Sequence, residues 1–410
     1  MITKSYKIRL IPTEEQEKLL QKHVDAMRFV WNWGLALNME RFKQGEKHLN
    51  NAGMGKILTD LKNNDDNFKW LNEVSLHTLK MALIDLENAY QKFFTLQKKG
   101  EKFSKAKIKR AQRLKKKLTP YDMKGHPKFK SRLKAKPKFY ARYESIYLTT
   151  ESVNIEKIGK VKYKTNYDLP AVSKKRENAT KYINPRIKFV NSKWILSFGI
   201  EYESTKKELN NFSVGIDLGV KDLAVISYSN GENSKSFKNI NKSKRVRRLK
   251  KRLKQKQRNV SRKYKQNGNY NKTARILKEE AKVNKLHLKL ANIRHNYTHH
   301  VTTEIINLNP SKIVLEDLNV TGMMKNKHLS EAIQEQNLNE FRRQIEYKSE
   351  WAGIEIVYAD RFYPSSKKCS VCGAIKQDLK LKDRVYKCEE CGTVIDRDLN
   401  AAKNLEKLAC

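Results

Sequence analysis

Four of the chain's five cysteines form two Cys-x-x-Cys pairs, Cys369/Cys372 and Cys388/Cys391, separated by fifteen residues. Gly373 and Gly392 follow the pairs, and glycine lets a knuckle backbone turn so that both thiolates face one point. Four thiolates in a tetrahedral array suit a single structural Zn²⁺ with no open coordination position. Two unrelated reduced pairs are the alternative, and the spacing argues against it. Cys410 is left over and suggests no function. Directly after the second pair comes "CGTVIDRDLNAAKN", with Asp396 and Asp398 at its centre. Asp217 lies inside the apolar "VGIDLGV", and Glu316, followed by Asp317, ends the apolar run "KIVLEDL". A lone carboxylate in such a run is costly. Three brought together repel unless cations sit between them, and hard oxygen ligands imply Mg²⁺. A pair of such ions is a known means of cleaving a phosphodiester.

Taken singly, each acid has a plain structural explanation. Asp398 could cap a helix starting at Leu399, and Asp317 reads as a neighbour of Glu316. The set of Asp217, Glu316 and Asp398, with Asp396 as a supporting residue, carries the chemical reading. Its order discriminates: Asp, Glu, Asp is the RuvC order, whereas ribonuclease-H-like transposases usually finish with glutamate. Sugar-kinase and actin-like ATPases also use an Asp-Leu-Gly strand but have no use for a four-cysteine ribbon or for a strongly basic chain.

The charge supplies the substrate class. Over 410 residues, 87 Lys+Arg stand against 44 Asp+Glu, a formal net charge of +43. A compact chain so charged repels itself unless a polyanion neutralises it. A hydrophobic share of 39% with five Trp argues for folded domains rather than disorder. The absence of an apolar run long enough for a bilayer, or of a signal-peptide core, gives the expectation of an intracellular, cytoplasmic protein.

The elements that must position these residues follow from periodicity. "KSYKIRLI" alternates apolar and basic side chains as a half-buried strand. Thr13 and Gln16 in "TEEQ" form a capping box for the helix that follows, and helical patterns continue to about residue 117. From Lys98 to Arg142 the chain is Lys-rich and interrupted by Pro120, Pro127 and Pro137, which forbid one continuous helix. Basic residues interleaved there with Phe129, Phe139 and Tyr140 suit a nucleic-acid backbone with stacked bases, or a solvated charged loop. Short strands to Glu203 make a small β domain, which the isolated first strand could join. Two apolar strands then meet near Lys221. Ser234 to Gln266 carries sixteen Lys or Arg and no acid. A long helix at roughly 273–307, the strand "KIVLEDL", a helix around 330–351, the strand "IEIVYA", the cysteine module and a helix from Leu399 complete the chain.

These motifs resemble TnpB, the transposon-encoded RNA-guided DNA nuclease family related to type V CRISPR effectors. The matching residues are "GIDLG" (215–219), "VLEDLNV" (314–320), "YPSSKKCSVCG" (363–373) and "CGTVIDRDLNAAKN" (391–404), with "KIRLIPTEEQ" and "GHPKFKSR" near the start. The resemblance implies a multidomain α+β and α/β architecture: a β wedge domain (1–13 and 118–212) split by a helical recognition domain (14–117), then an RNase-H-like RuvC domain (213–367 and 393–410) with an inserted zinc ribbon (368–392). It implies Asp217, Glu316 and Asp398 as catalytic ligands of two Mg²⁺, and one structural Zn²⁺. It also implies a guide RNA from the transposon end, and double-stranded target DNA cut in a single RuvC site beside a short motif. Lys128, Lys130, Arg132, Arg245, Arg247, Arg248, Lys251 and Arg252 are nucleic-acid-binding candidates. A monomer is favoured. A nucleic-acid-binding regulator that does not cut, and a guide-free transposase or resolvase, are the alternatives.

Overall fold

The computed structural model describes residues 2–100, 103–132, 135–165, 169, 182–202, 208–232, 234–268, 272–326, 328–380 and 383–409. Parts of the expected wedge segment, 166–168, 170–181 and 203–207, and Cys410 lie outside the described residues. The chain divides into two compact units, Met1–Tyr202 and Glu203–Cys410. None of the described helices is long and apolar enough to cross a membrane.

In the first unit, β1 (Ile2–Ile11) buries Ile8 and Leu10 and exposes Lys7 and Arg9, as its alternation dictates. Rather than lying at an edge, β1 sits in the middle of a seven-stranded sheet. The other strands are β2 (Lys138–Tyr140), β3 (Tyr147–Leu148), β4 (Ser152–Ile155), β5 (Gly159–Lys164), β6 (Tyr182–Val190) and β7 (Lys193–Tyr202), in the order β2-β6-β7-β1-β5-β4-β3. The expected capping box is present: the Gln16 N–H donates to Thr13 Oγ1 (3.3 Å) and the Thr13 N–H to Gln16 Oε1 (3.1 Å). It opens α1 (Glu14–Lys43), whose inner face buries Leu20, Val24, Met27, Val30 and Trp31. Then come α2 (Asn51–Asn64), α3 (Asp66–Lys69), α4 (Leu76–Lys98) and the short α5 (Lys105–Arg113). Helices and sheet share one apolar core, which joins Leu35 and Leu86 to Ile8 and Ile187. The "PKFK" segment is tied to α1: Trp31 Nε1–H donates to the Lys128 carbonyl (3.0 Å), and Asn32 exchanges hydrogen bonds with the Lys130 backbone (3.0 and 2.8 Å).

The second unit is built on a five-stranded sheet made of β8 (Asn210–Leu218), β9 (Asp222–Tyr228), β10 (Lys235–Lys238), β11 (Pro310–Glu316) and β12 (Glu355–Ala359). The order is β10-β9-β8-β11-β12; β8, β11 and β12 are parallel, β9 and β10 antiparallel to their neighbours. Between β10 and β11 run α6 (Lys244–Gln266) and α7 (Ala274–Asn307). After β11 come α8 (Val320–Met323), α9 (Ser330–Gln336) and α10 (Leu338–Ala352). The single helix expected around 330–351 is thus two, broken at Asn337, which takes the left-handed φ of 58° that asparagine tolerates better than most residues. The last helix, α11 (Arg397–Glu406), begins two residues earlier than its apolar pattern predicts.

Strand alternation sorts the sheet's two faces. Val214, Ile216, Ile313 and Leu315 point into a core shared with Ile305 of α7 and Phe341 and Ile345 of α10. Val314 points the other way, into a smaller cluster with Leu405 of α11. Gly215 belongs to that second face. A Cβ there would stand 2.2 Å from the Ala402 carbonyl oxygen and 2.3 Å from the Glu406 nitrogen. Both are backbone atoms, so no rotamer change could relieve the clash. Gly215→Ala is therefore expected to destabilise the protein by about 1–3 kcal/mol or more, the usual cost of overpacking. A thermal melt matching the wild type would contradict this close approach of α11.

Candidate active site

Register and alternation together bring the first two acids side by side. Ile216 pairs with Leu315 across β8 and β11, and the next residue of each parallel strand is an acid, Asp217 and Glu316. Both stand at the carboxyl ends of their strands, where open α/β sheets place their ligands. Both lie on the face of Gly215 and Val314, the one α11 covers. Asp398 arrives in the first turn of α11, held by its neighbour Arg397, whose Nη2 donates to Asp398 Oδ1 (3.2 Å).

The electrostatics record this proximity. Burial pushes the Asp217 carboxyl well above the usual range, and the charges of Glu316 and Asp398 push it further; Arg397 opposes them. Burial also raises Glu316, opposed by the hydroxyl that Ser365 donates to its Oε1. Asp396 does something different. Its Oδ1 accepts the backbone N–H groups of Asp398 (2.9 Å) and Leu399 (3.2 Å). The cap of the last helix is thus Asp396 and not Asp398, which leaves the Asp398 carboxylate for other partners. Lys221 Nζ lies 3.4 Å from Asp396 Oδ2. Asp317 turns away to Arg342 and Arg361 and is held below the usual carboxylate range by hydrogen bonds from both.

The four cysteines converge. Cys369 and Cys391 sulfurs are 3.6 Å apart, those of Cys372 and Cys388 3.5 Å. A tetrahedron with Zn–S bonds of ~2.3 Å has edges of ~3.8 Å, so the set fits one zinc ion. Gly373 and Gly392 take the left-handed turn expected of them, at φ +81° and +68°. The second pair sits between β13 (Val385–Lys387) and β14 (Val394–Asp396), an antiparallel hairpin whose return strand runs straight into α11. The first pair is fastened to α11 by two asparagines. Asn400 Nδ2 donates to the Lys368 carbonyl (2.7 Å) while its Oδ1 accepts the Ser370 N–H (2.9 Å). Asn404 Nδ2 donates to Lys368 (2.6 Å) and Ser365 (2.8 Å) carbonyls. Both are buried, 0% and 2% exposed.

Among the described residues, the groups whose ligand atoms all lie within 4.8 Å of one another are the four cysteines and His295, His299 and Glu340. Asp217, Glu316 and Asp398 are not so tightly gathered. The histidine group is a poor cation site: Glu340 is taken by Arg343 and Gln344, and the Lys348 charge, after burial, helps push His299 down to about 4.

The basic candidates fall on two surfaces, one in each unit. In α6, Val246, Leu249 and Leu253 pack against Leu290 of α7. That apolar stripe leaves Arg245, Arg247, Arg248, Lys251 and Arg252 exposed. Arg247 and Lys251, like Arg248 and Arg252, are like charges four residues apart, mutually unfavourable without an anion. In the first unit Lys128 and Arg132 are exposed. Lys130 instead lies over the Trp31 ring, 3.2 Å from its centroid, and burial lowers it to about 8.

Sequence reasoning passed over Ser365, Arg397, Asn400 and Asn404. A signal existed for the asparagines: they lie four apart, on one face of a helix otherwise filled by Ala401, Ala402 and Leu405, and polar groups on a buried face are paired.

Three family models match: "Helix-turn-helix domain" at residues 1–47, "Probable transposase" at 197–327 and "Cas12f1-like, TNB domain" at 339–405. A protein of Streptomyces pristinaespiralis named "Putative RNA-guided DNA endonuclease" is 28% identical over 98% of this chain and 89% of its own. "Putative RNA-guided DNA endonuclease InsQ" of Escherichia coli K12 is 28% identical over 98% of this chain and 91% of its own. "CRISPR-associated endodeoxyribonuclease Cas12f1" of Sulfoacidibacillus thermotolerans is 26% identical over 52% of this chain and 50% of its own.

Proposed function

We propose, from the likeness to the "Probable transposase" model and to two proteins named "Putative RNA-guided DNA endonuclease", that the chain is a member of the OrfB/TnpB family, an RNA-guided endonuclease that cuts double-stranded DNA at Asp217, Glu316 and Asp398. The observation that carries the reading is the meeting of Asp217 and Glu316 on one sheet face, beneath the helix bearing Asp398. The strand order, with three parallel strands and two antiparallel ones at the β8 side, supports an RNase-H-like RuvC assignment for residues 213–367 and 393–410. The close sulfurs support a zinc ribbon at 368–392. Residues 1–13 and 118–212 are read as the wedge and 14–117 as the recognition domain.

The donor set suits hard divalent cations: two carboxyls driven up by burial, and in one case by like charge, gain most from a metal. Mg²⁺ ions held by Asp217, Glu316 and Asp398 would supply activation of the attacking water and stabilisation of the leaving oxygen. The chain's own residues do the positioning. Ser365 orients Glu316 through its hydrogen bond, Arg397 restrains Asp398, and Asp396 fixes the start of the helix that carries it. The exposed cations of α6 bind nucleic-acid phosphates without regard to sequence. Sequence reading falls to the guide RNA, derived from the transposon end, and a short target-adjacent motif is read by the first unit.

The test is to purify the full chain expressed with its flanking transposon sequence, to sequence the RNA retained, and to offer matching duplex DNA in Mg²⁺ or in chelator. Cleavage is expected only with Mg²⁺ and only at guide-matched sites. Guided binding without cleavage would leave a non-cutting regulator, and cleavage without RNA a guide-free nuclease.

A further inference from the structure

The helical part of the first unit holds an aromatic cleft to which the nuclease reading gives no role. Phe42 at the end of α1, His48 in the turn after it, Tyr90 and Phe94 on α4, and Tyr121 and His126 beyond α5 line a cavity of about 330 Å³. Its rings already engage one another. Tyr90 and Phe94 are stacked, with centroids 5.9 Å apart and planes at 23°. His48 lies 4.4 Å from Tyr90, and Tyr121 meets Phe42 and His126 edge-on at 6.4 and 5.5 Å. Yet the lining is unfinished: Phe42 is 61% and Phe94 41% exposed. Two phenyl rings left in water at the mouth of an aromatic cavity offer stacking faces to a flat guest.

The surroundings say what kind of guest. Exposed Lys43, Lys47, Lys98, Lys99 and Lys124 lie beside the lining residues in the chain, and the one lining carboxylate, Glu46, is neutralised by Arg41. Lysines next to aromatic lining residues in the chain, of which Lys43 is paired with Glu40, suit single-stranded nucleic acid: phosphates on the lysines, a base on an exposed ring. Hydrogen-bonding groups for a base edge are present too. His126 Nδ1–H donates to the Pro127 carbonyl (2.7 Å), which leaves Nε2 as an acceptor. Burial lowers both His48 and His126, which favours the neutral form of each ring.

We propose that this cleft binds one unstacked base of the RNA the protein carries; the proposal rests on the RNA-binding part of the preceding reading. RNA is the favoured source because its loops and single-stranded ends present splayed bases, whereas those of duplex DNA are paired and stacked.

The experiment uses the full chain with its co-purified RNA. Ultraviolet crosslinking, digestion and mass spectrometry are expected to find a nucleotide on the peptides that carry Phe42, Tyr90 or Phe94. The double variant Phe42→Ala/Phe94→Ala loses the Phe94–Tyr90 stacking and is expected to melt slightly below the wild type while staying folded. It should bind the extracted, end-labelled RNA about tenfold or more weakly, the usual loss of a stacking contact. Its salt dependence should not change, because no phosphate contact is removed. Phe42→Tyr/Phe94→Tyr should restore affinity. Wild-type affinity in the alanine variant, with no crosslink in the cleft, overturns the proposal. So does an unchanged RNA affinity with weakened DNA binding by the loaded complex, which would assign the base to DNA. A wild-type chain that retains no RNA would refute the RNA-guided reading itself.

Discussion

Asp217→Ala is expected to slow cleavage by about a thousandfold or more while guided DNA binding survives. The argument rests on where the charge sits. Asp217 is held above the usual carboxylate range by burial and by the neighbouring acids Glu316, Asp398 and Asp396, so the apoprotein bears a destabilising buried group. Removing it relieves repulsion, and the variant should melt at or above the wild-type temperature in chelator. That outcome separates a residue kept for chemistry from one kept for folding. The cations that would hold DNA lie elsewhere, on α6 and in the first unit, and are untouched by the change. A variant losing cleavage and guided binding together would refute the separation of roles.

Cys388→Ser should weaken metal binding by the four-cysteine cluster and impair cleavage, although no thiolate is among the proposed catalytic groups. A structural zinc stabilises zinc-finger peptides by ~10–16 kcal/mol, and a three-thiolate remnant would bind far more weakly. The effect reaches Asp398 along two physical connections. One is β14, which runs from the second cysteine pair into the Asp396 cap. The other is the pair of asparagines that bolt α11 to the Lys368–Ser370 backbone of the first. Metal analysis, cleavage rates and RNA retention on one preparation would check this. Loss of zinc with full cleavage would show that α11 holds its place unaided; loss of RNA as well would show that damage had spread beyond the module.

The convergence of the four cysteines was legible in the sequence, and the three acids of the proposed site stood out there too, because each is announced by residue type. Cys-x-x-Cys spacing is local, and an acid ending an apolar strand is conspicuous. The role of Asp396 was not legible, since Asp396 and Asp398 are chemically equal and only the backbone decides which one caps. Nor was the break at Asn337, because the apolar periodicity continues across it. The need for glycine at position 215 was hidden, because what fills the space beside it, the backbone of α11, lies far away in sequence. The central position of β1 was similarly hidden: one strand's alternation reveals a buried face but not its neighbours. Lys130 shows the limit of composition, since a lysine among lysines gives no hint that it will settle on Trp31.

The long sequence separation of Asp217 and Asp398 has a consequence for synthesis. A ribosome delivers the chain from its N-terminus at about 5–20 residues per second, so β8 emerges many seconds before α11. Throughout that interval the first unit and most of the sheet can fold, and basic surfaces can take up RNA, while the cutting centre lacks one of its acids. On the proposed reading, the helix that would complete it is also fastened to both cysteine pairs, so its seating would depend on the metal they hold. If Asp217, Glu316 and Asp398 are the cutting acids, the nascent chain would be inert until α11 is seated, and binding partners could be collected before the blade is fitted.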